Sequence, residues 1–259
     1  MSGNSGTSGN KRRRKSTGAV IYVPVAVFFI LFLAVLGTSS FLKVLEIEVL
    51  GSTMYTDDDI IAASGITPGK NLLFMNLSTA KDRIFFNMPY INGIVITRVL
   101  PARIRIDVSE SEAIALIAYR DERLIIDSAG RILERVGEVV PDLPEVLGFT
   151  PVEPVIGSVM KAEIGDETRL QYLTEVLAAV ERDENRGDVS FIDVGSIANI
   201  TLGYAGRFRV VLGSSTGVSH KLSQLPGIVA EIDRDLSREA TGSINMSNTA
   251  GTWRFNPDW

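Results

Sequence analysis

The most constraining feature of this chain is a basic cluster followed at once by a long uncharged segment. Five basic residues, Lys11–Lys15, precede 27 residues, 16–42, that carry no charged side chain. Residues 19–36 are apolar apart from Tyr22 and Pro24, and a helix rising about 1.5 Å per residue would extend them to about 27 Å. The hydrocarbon core of a bilayer is about 30 Å thick. The sequence therefore predicts a transmembrane helix over residues 18–42.

The basic cluster also predicts how the chain is oriented. Short flanks rich in lysine and arginine stay on the cytoplasmic side of a membrane. We therefore interpret Lys11, Arg12, Arg13, Arg14 and Lys15 as a topology signal that places the N-terminus in the cytoplasm and the chain after residue 42 outside. Residues 1–17 are predicted to be a disordered cytoplasmic tail, because residues 1–10 are rich in Gly, Ser and Asn and contain no aromatic residue.

A cleaved signal peptide is the alternative interpretation of the same segment. Gly37, Thr38 and Ser39 offer small residues at a plausible cleavage position. The apolar region of a signal peptide, however, is about 7–15 residues long, and the apolar region here is longer. We therefore favour a permanent anchor.

Charge and cysteine content limit the function of the external part. It carries 21 basic against 31 acidic residues, a net charge of −10, because no acidic residue precedes Glu46. Such a surface repels nucleic acid and anionic lipid, so neither is an expected ligand. The chain has no cysteine, and a folded external part must therefore be stabilised by its hydrophobic core rather than by disulfides.

The first external segment has the pattern of a small α+β domain over residues 43–111. Residues 45–50 alternate apolar and charged side chains, as in a half-buried strand. Thr56 and the acidic residues 57–59 then begin a helix that Gly65 ends. A second helix is predicted over 78–87, and Pro101 separates strands at 94–100 and 104–108. The predicted order is β-α-α-β-β.

The following segment, residues 112–250, is predicted to be a mostly antiparallel β domain with two flanking helices. The first helix, 167–182, has a clear apolar stripe. The second carries a stripe from Leu222 to Leu236, which Pro226 and Gly227 interrupt, so that a split into two helices is open. A strand at 242–247 and another at 252–255 are expected near the end, and residues 251–259 are treated as a C-terminal strand and tail.

Several stretches resemble the FtsQ/DivIB family of bacterial cell division proteins. They include residues 47–51, the turn 65–72, Pro89–Ile91 and residues 95–108 with Pro101 in the middle, which are similar to the POTRA domain of that family. Residues 125–130, 143–148 and 242–246 resemble successive markers of its β domain. The sequence departs from the family at 109–113, at Asn245, where an acidic residue is usual, and at Pro226–Gly227.

The resemblance implies a non-enzymatic scaffold that spans the membrane once and is enriched at the division septum. Its implied partners are single-span proteins of the FtsL type and the FtsB/DivIC type, with the septal peptidoglycan synthase as a possible further one. Such a scaffold would help to control septal peptidoglycan synthesis. No cofactor, metal or catalytic residue is implied.

Strand addition is the expected mode of partner binding, since an edge strand can bind a partner strand through main-chain hydrogen bonds. The predicted edge is the segment 242–248, with two aromatic anchors after it. The alternative is that these residues simply close the core of the β domain. The candidate residues are Gly242, Ser243, Ile244, Asn245, Met246, Ser247, Asn248, Trp253 and Phe255.

Other functions receive less support from the sequence. A catalytic role for His220, the one histidine, would need a nucleophile or further ligands nearby, and the sequence suggests none. Four scattered Ser-x-x-Lys matches lack the companion motifs of penicillin-binding enzymes, which argues against a cell-wall enzyme. A POTRA-type chaperone for protein secretion remains the main alternative function, although such proteins usually carry tandem POTRA units or a membrane barrel.

Overall fold

The computed structural model describes residues 22–33, 42–137, 139–248 and 252–258. Helix α1 covers residues 22–33, and its side chains are all exposed. The predicted tail 1–17, including Lys11–Lys15, lies outside the described residues, as does much of the predicted transmembrane segment 18–42. Within the described ranges, no helix is both long enough and apolar enough to cross a membrane.

Four further α-helices and twelve strands follow in the described part of the chain, with one short 3₁₀-helix at Arg186–Asp188. In chain order they are β1 (Glu46–Leu50), α2 (Asp57–Ser64), α3 (Leu77–Asn87), β2 (Ile91–Val99), β3 (Arg103–Glu110), β4 (Ala115–Tyr119), β5 (Glu122–Ile126), β6 (Ile132–Arg135), β7 (Glu145–Leu147), α4 (Glu167–Glu181), β8 (Val189–Asp193), β9 (Ile200–Tyr204), β10 (Phe208–Gly213), α5 (Val218–Asp235), β11 (Gly242–Asn245) and β12 (Arg254–Pro257).

The chain divides into two compact units. The described part of the first unit consists of α1, residues 42–47, Thr67–Met75 and Arg98–Ile104. Main-chain hydrogen bonds join its segments: Val44 N donates to Lys70 O (2.9 Å), and Leu45 N donates to Ala102 O (2.8 Å). The second unit consists of Glu48–Ile66, Asn76–Thr97 and the chain from Arg105 onward.

The predicted order β-α-α-β-β is confirmed, with β1, β3 and β2 side by side in a three-stranded sheet. Local sequence signals explain α2, the first helix in this order. Thr56 Oγ1 accepts a hydrogen bond from Asp59 N (3.2 Å), and the Asp59 carboxylate accepts one from Thr56 N (3.4 Å), which forms a capping box. Gly65 ends the helix in the left-handed conformation (φ +66°), which glycine adopts without steric cost.

The large sheet has nine strands in the order β12-β11-β10-β9-β8-β7-β4-β5-β6. Five of its eight strand pairs are antiparallel, and β10–β11, β7–β8 and β4–β7 are parallel. The predicted mostly antiparallel domain is therefore confirmed. The last predicted strand lies two residues later than expected, and as β12 it joins this same sheet.

The helices α4 and α5 cover one face of this sheet, and their predicted apolar stripes pack in a single core. The exception is Leu236, which follows α5 and is exposed. A smaller cluster lies on the opposite face of β4 and β5. There, Tyr90 and the partly buried Tyr55 pack against Leu116, Ile125 and Leu133. Alternation along β4 produces this division, because Ala115 and Ile117 belong to the helix side and Leu116 to the tyrosine side.

The predicted helix that contains Pro226 and Gly227 is a single helix. The split into two helices, which the sequence left open, does not occur. Helix α5 runs unbroken from Val218 to Asp235 with Pro226 inside it. A proline in a helix interior removes one main-chain hydrogen bond and disfavours the helix. The flanking Leu225 and Ile228 are both buried in the core, and their packing offsets this cost.

Glu110, at the end of β3, holds the loop that follows β1. Its carboxylate accepts hydrogen bonds from Ser52 Oγ (2.6 Å), Thr53 N (3.0 Å), Thr53 Oγ1 (2.8 Å) and Met54 N (3.1 Å). Partial burial opposes ionisation of this group, but the donors from Ser52, Thr53 and Met54 outweigh burial and lower its pKa. The ionised carboxylate therefore stabilises the loop that leads to Tyr55.

We predict that Glu110→Gln lowers the free energy of unfolding by about 1–2 kcal/mol at neutral pH, because an amide replaces an acceptor of several hydrogen bonds. A depressed pKa contributes stability above its ordinary value of 4.5, and this contribution is lost as the pH falls through the lower folded value. The difference between wild type and variant should therefore shrink below pH 4.5. Thermal melts from neutral to acidic pH measure this difference.

The matched control is Glu112→Gln, two residues further along. Glu112 forms an exposed ion pair with Arg186, and exposed pairs contribute about 0.2–1 kcal/mol. A Glu110→Gln effect no larger than that of the control, or one independent of pH, would contradict the assigned role.

Candidate partner-binding site

The strand predicted to bind a partner is not at the edge of the sheet. Gly242–Asn245 forms β11, which pairs in parallel with β10 on one side and antiparallel with β12 on the other. The expected open edge at 242–248 is therefore occupied by β12 over Gly242–Asn245. Among the described residues, no strand pairs with the outer side of β12, and that side is an open edge of the sheet.

The hydrogen-bond register shows which main-chain groups of β12 face outward. Asp258 N donates to Thr241 O (3.1 Å), one position beyond the aligned pair Gly242 and Pro257. Bonded and non-bonded pairs alternate in an antiparallel ladder. The N–H and C=O of Phe255 and the C=O of Pro257 therefore point away from β11. Pro257 has no N–H to offer.

The predicted site residues divide between the core and the surface. Ile244 and Met246 are buried in the core beneath α5. Trp253 and Phe255 are partly buried and pack against the same core, and the Phe255 ring meets Phe208 edge-on with 5.9 Å between centroids. The alternative interpretation, closure of the domain core, therefore describes the positions of these four side chains, and their role in partner binding stays a prediction.

Asn245, the last residue of β11, forms a turn with Ser247 and Asn248. The Asn245 side-chain oxygen accepts hydrogen bonds from Ser247 N (3.0 Å) and Ser247 Oγ (2.8 Å). Ser247 and Asn248 are exposed, and the Asn248 amide donates to Thr252 Oγ1 (3.3 Å). Ser243 is half-buried in β11. Asn245 thus uses its side chain to shape the exit from the strand.

Gly242 permits the close approach of β12. A Cβ atom at this position would lie 2.4 Å from Asn256 O and 2.9 Å from Pro257 Cα. Both contacts are with main-chain atoms, which cannot move aside as a flexible side chain can. The absence of a side chain at Gly242 is therefore needed for β12 to lie against β11.

Arg207 fixes the neighbouring end of β10. Its guanidinium donates to the main-chain oxygen of Arg238 and forms an ion pair with Asp233 at 3.0 Å. It also lies over the ring of Phe208, 4.7 Å from the centroid. These contacts hold the connection from α5 to β11 against the strand that carries Phe208, the contact partner of Phe255.

A small cavity of about 150 Å³ lies beside Met246 at the start of α5. Lys221 lines it and donates to Leu212 O, and burial lowers the pKa of this lysine. His220 is exposed there, with its Nε2 atom 3.2 Å from the Gln224 amide nitrogen. In the ranges that the structure describes, no three His, Cys, Asp or Glu side chains are grouped so that they could bind a metal ion.

Sequence reasoning missed Pro257 as part of the edge. Proline has no N–H to donate to a neighbouring strand. A proline within a strand is therefore a signal for an edge position. That signal was present in Arg254–Pro257, and it indicates the last strand rather than Gly242–Asn245 as the outermost one.

A family model described as the FtsQ-type POTRA domain matches residues 42–111. The cell division protein DivIB of Clostridium botulinum (strain Hall) is 28% identical over 244 residues, covering 92% of this chain and 90% of the relative. The cell division protein FtsQ of Corynebacterium glutamicum is 28% identical over 169 residues, covering 64% of this chain and 69% of the relative.

Among solved structures, the chain is similar to the major extracytoplasmic domain of the cell division protein DivIB from Geobacillus stearothermophilus. The two are 23% identical with a TM-score of 0.30, and the match covers 50% of this chain and 99% of that domain.

We predict that Gly242→Ala destabilises the large sheet by about 1–3 kcal/mol, because the added methyl group overlaps main-chain atoms of β12. Denaturant unfolding measures the loss, and hydrogen exchange over 254–257 should accelerate. The control is Gly227→Ala in α5, where a Cβ meets no atom within 4 Å. This control should stabilise by about 0.5–1 kcal/mol. A wild-type melt for Gly242→Ala would contradict the tight approach of β12.

Proposed function

We propose, for a chain that belongs to the FtsQ/DivIB family of cell division proteins, a role as a non-enzymatic scaffold that spans the membrane once. The basic tail 1–17 lies in the cytoplasm and residues 18–42 form the anchor. A POTRA domain (43–111), a β domain (112–250) and the terminal segment 251–259 lie outside. At the septum these domains bind single-span partners of the FtsL and FtsB/DivIC types. Through them, and through contact with the septal synthase, they help to control peptidoglycan synthesis.

The observation that carries this proposal is the open edge of β12. A strand of a partner can continue the nine-stranded sheet by donating to Phe255 O and Pro257 O and by accepting from Phe255 N. Three such bonds at about 0.5–1.5 kcal/mol each give only a few kcal/mol, less than the cost of ordering a free segment. Side chains must add to the affinity, and Trp253 and Arg254 flank the outward groups.

Tethering to one membrane reduces the affinity that such a contact needs. Partners that share a bilayer meet at a high effective concentration, so that a weak contact can be populated. For this chain, the uncharged segment 16–42 supports anchoring in the membrane. Its described residues 22–33 are helical with exposed side chains, as expected for apolar side chains whose solvent is lipid.

The exposed position of His220 supports a binding role rather than catalysis. A general base needs a partner group within hydrogen-bond distance, and the neighbour of His220 is the amide of Gln224. The match to Ser-x-x-Lys at Ser78 and Lys81 lies on the exposed surface of α3, where the Lys81 ammonium lies over the Phe85 ring.

We predict that Phe255→Pro weakens capture of an FtsB/DivIC-type partner by about tenfold or more, because it removes the one outward N–H of β12 and places a ring at the edge. Phe255→Leu is the matched control, since it removes the aromatic ring and keeps the N–H. Binding of the full chain in detergent or nanodiscs is measured by fluorescence anisotropy, with a thermal melt of each variant to verify folding.

Two outcomes would contradict strand addition at β12. The first is wild-type binding by a folded Phe255→Pro variant. The second is an equal loss in Phe255→Leu, which would show that the ring rather than the main chain makes the contact.

A further inference from the structure

The first unit presents an exposed surface that combines apolar and basic side chains. Phe74 is 82% exposed, Leu45 77% and Leu100 62%. Large exposed apolar side chains within one compact unit point to an interaction surface. We call this the anchor-proximal surface, and it consists of Lys43, Leu45, Lys70, Leu73, Phe74 and Leu100.

Arg98 holds the turn that carries Leu73 and Phe74. Its guanidinium donates to Leu72 O (2.7 Å) and to Met75 O (2.6 Å), the residues on either side of the pair. The turn is closed further by Leu73 N, which donates to the side-chain oxygen of Asn71 (2.9 Å). Leu72 is fully buried. Leu73 and Phe74 are therefore fixed in an exposed position by the structure of the turn.

This surface lies where the chain arrives from the uncharged segment. Leu72 N donates to Leu42 O (2.7 Å), and Leu42 is the last residue of that segment. Lys70 O accepts from Val44 N (2.9 Å), only two residues later. If residues 18–42 span the bilayer, the turn at 71–75 is therefore held within a few residues of the membrane interface.

The charge of this region is opposite to that of the rest of the external part. Residues 42–47, 67–75 and 98–104 contain four basic residues, Lys43, Lys70, Arg98 and Arg103, and one acidic residue, Glu46. Glu46 pairs with Arg103 at 2.9 Å. The external part as a whole has a net charge of −10. Exposed aromatic and aliphatic side chains beside lysines are the composition that binds an anionic lipid interface.

We propose that the anchor-proximal surface docks onto the headgroup region of the bilayer in which the chain is anchored, with Leu73, Phe74 and Leu100 entering the interface and Lys43 and Lys70 meeting anionic headgroups. The occupant is lipid, not a protein. This inference rests on the proposed anchor, since residue 42 must lie at the membrane. It refines the sequence-based expectation that the external part repels anionic lipid, because the repulsion applies to the acidic remainder of that part.

The absence of cysteine allows a direct test with single labels. Phe74→Cys, Phe28→Cys and Phe86→Cys are each labelled with an environment-sensitive fluorophore in the full chain. The proteins are reconstituted into phosphatidylcholine vesicles with and without phosphatidylglycerol, which contain a lipid spin-labelled near the headgroup for positions 74 and 86 or deep in the acyl chain for position 28. Phe28 lies in α1 and reports anchoring. Phe86, on α3, is 87% exposed and is the matched control outside the first unit.

We expect the spin-labelled lipid to quench the label at position 74 strongly in anionic vesicles and the label at 86 weakly. Leu45, Leu73 and Leu100 keep the surface apolar in the labelled protein. Replacing Lys43 and Lys70 together by glutamate should lower the ratio of docked to undocked protein. The expected decrease is about fivefold for each lysine removed. Lys81→Glu on α3 should leave the quenching at 74 unchanged.

The three label positions separate failure of this inference from failure of the proposed anchor. Quenching at 28 but not at 74 would overturn docking and leave the anchor in place, and would indicate that the surface serves a protein instead. Equal quenching at 74 and 86 would also overturn it. Absence of quenching at 28 would overturn the anchor, and docking with it.

Discussion

Apolar side chains on both faces of β4, β5 and β6 in the large sheet must be covered, and the rest of the structure follows from this requirement. Along β4, Ala115 and Ile117 face the core under α4 and α5, while Leu116 faces Tyr55 and Tyr90. Tyr90 is held there in its neutral form, because burial, with the nearby Glu134 carboxylate, raises its pKa. Helices alone therefore do not complete the core. Tyr55 and Tyr90, which precede the large sheet in the chain, are needed to close it.

The same sheet is covered on both faces near its β6 end and has an open edge at its β12 end. Outward from β4, the strands lead to β12, whose inner side is tied to β11 and whose outer side carries the main-chain groups of Phe255. Exposed edges favour uncontrolled pairing, and proteins limit them with short strands, charged side chains and proline. Strand β12 is four residues long and contains Arg254 and Pro257. This edge is consistent with controlled addition of one partner strand.

Much of the fold was predictable because its signals are local. The capping box of Thr56 and Asp59, the left-handed Gly65 and the alternation along β3 depend on residues only a few positions apart, and the structure has each of these features. Helix α5 was less predictable. The cost of Pro226 is local, but the packing of Leu225 and Ile228 that offsets it depends on strands elsewhere in the chain.

The sequence by itself determined the resemblance to the FtsQ and DivIB proteins, the β-α-α-β-β order and the apolar character of one side of α4 and α5. Periodicity, caps and turn residues encode these features within short windows. Pro257 is a local signal for an edge strand, but only the tertiary structure decided that β11 is paired on both sides and that Leu73 and Phe74 stand exposed beside Lys70. The physical reason is that an edge, or a surface, is defined by which distant segments are paired or buried, and no short window of sequence records that pairing.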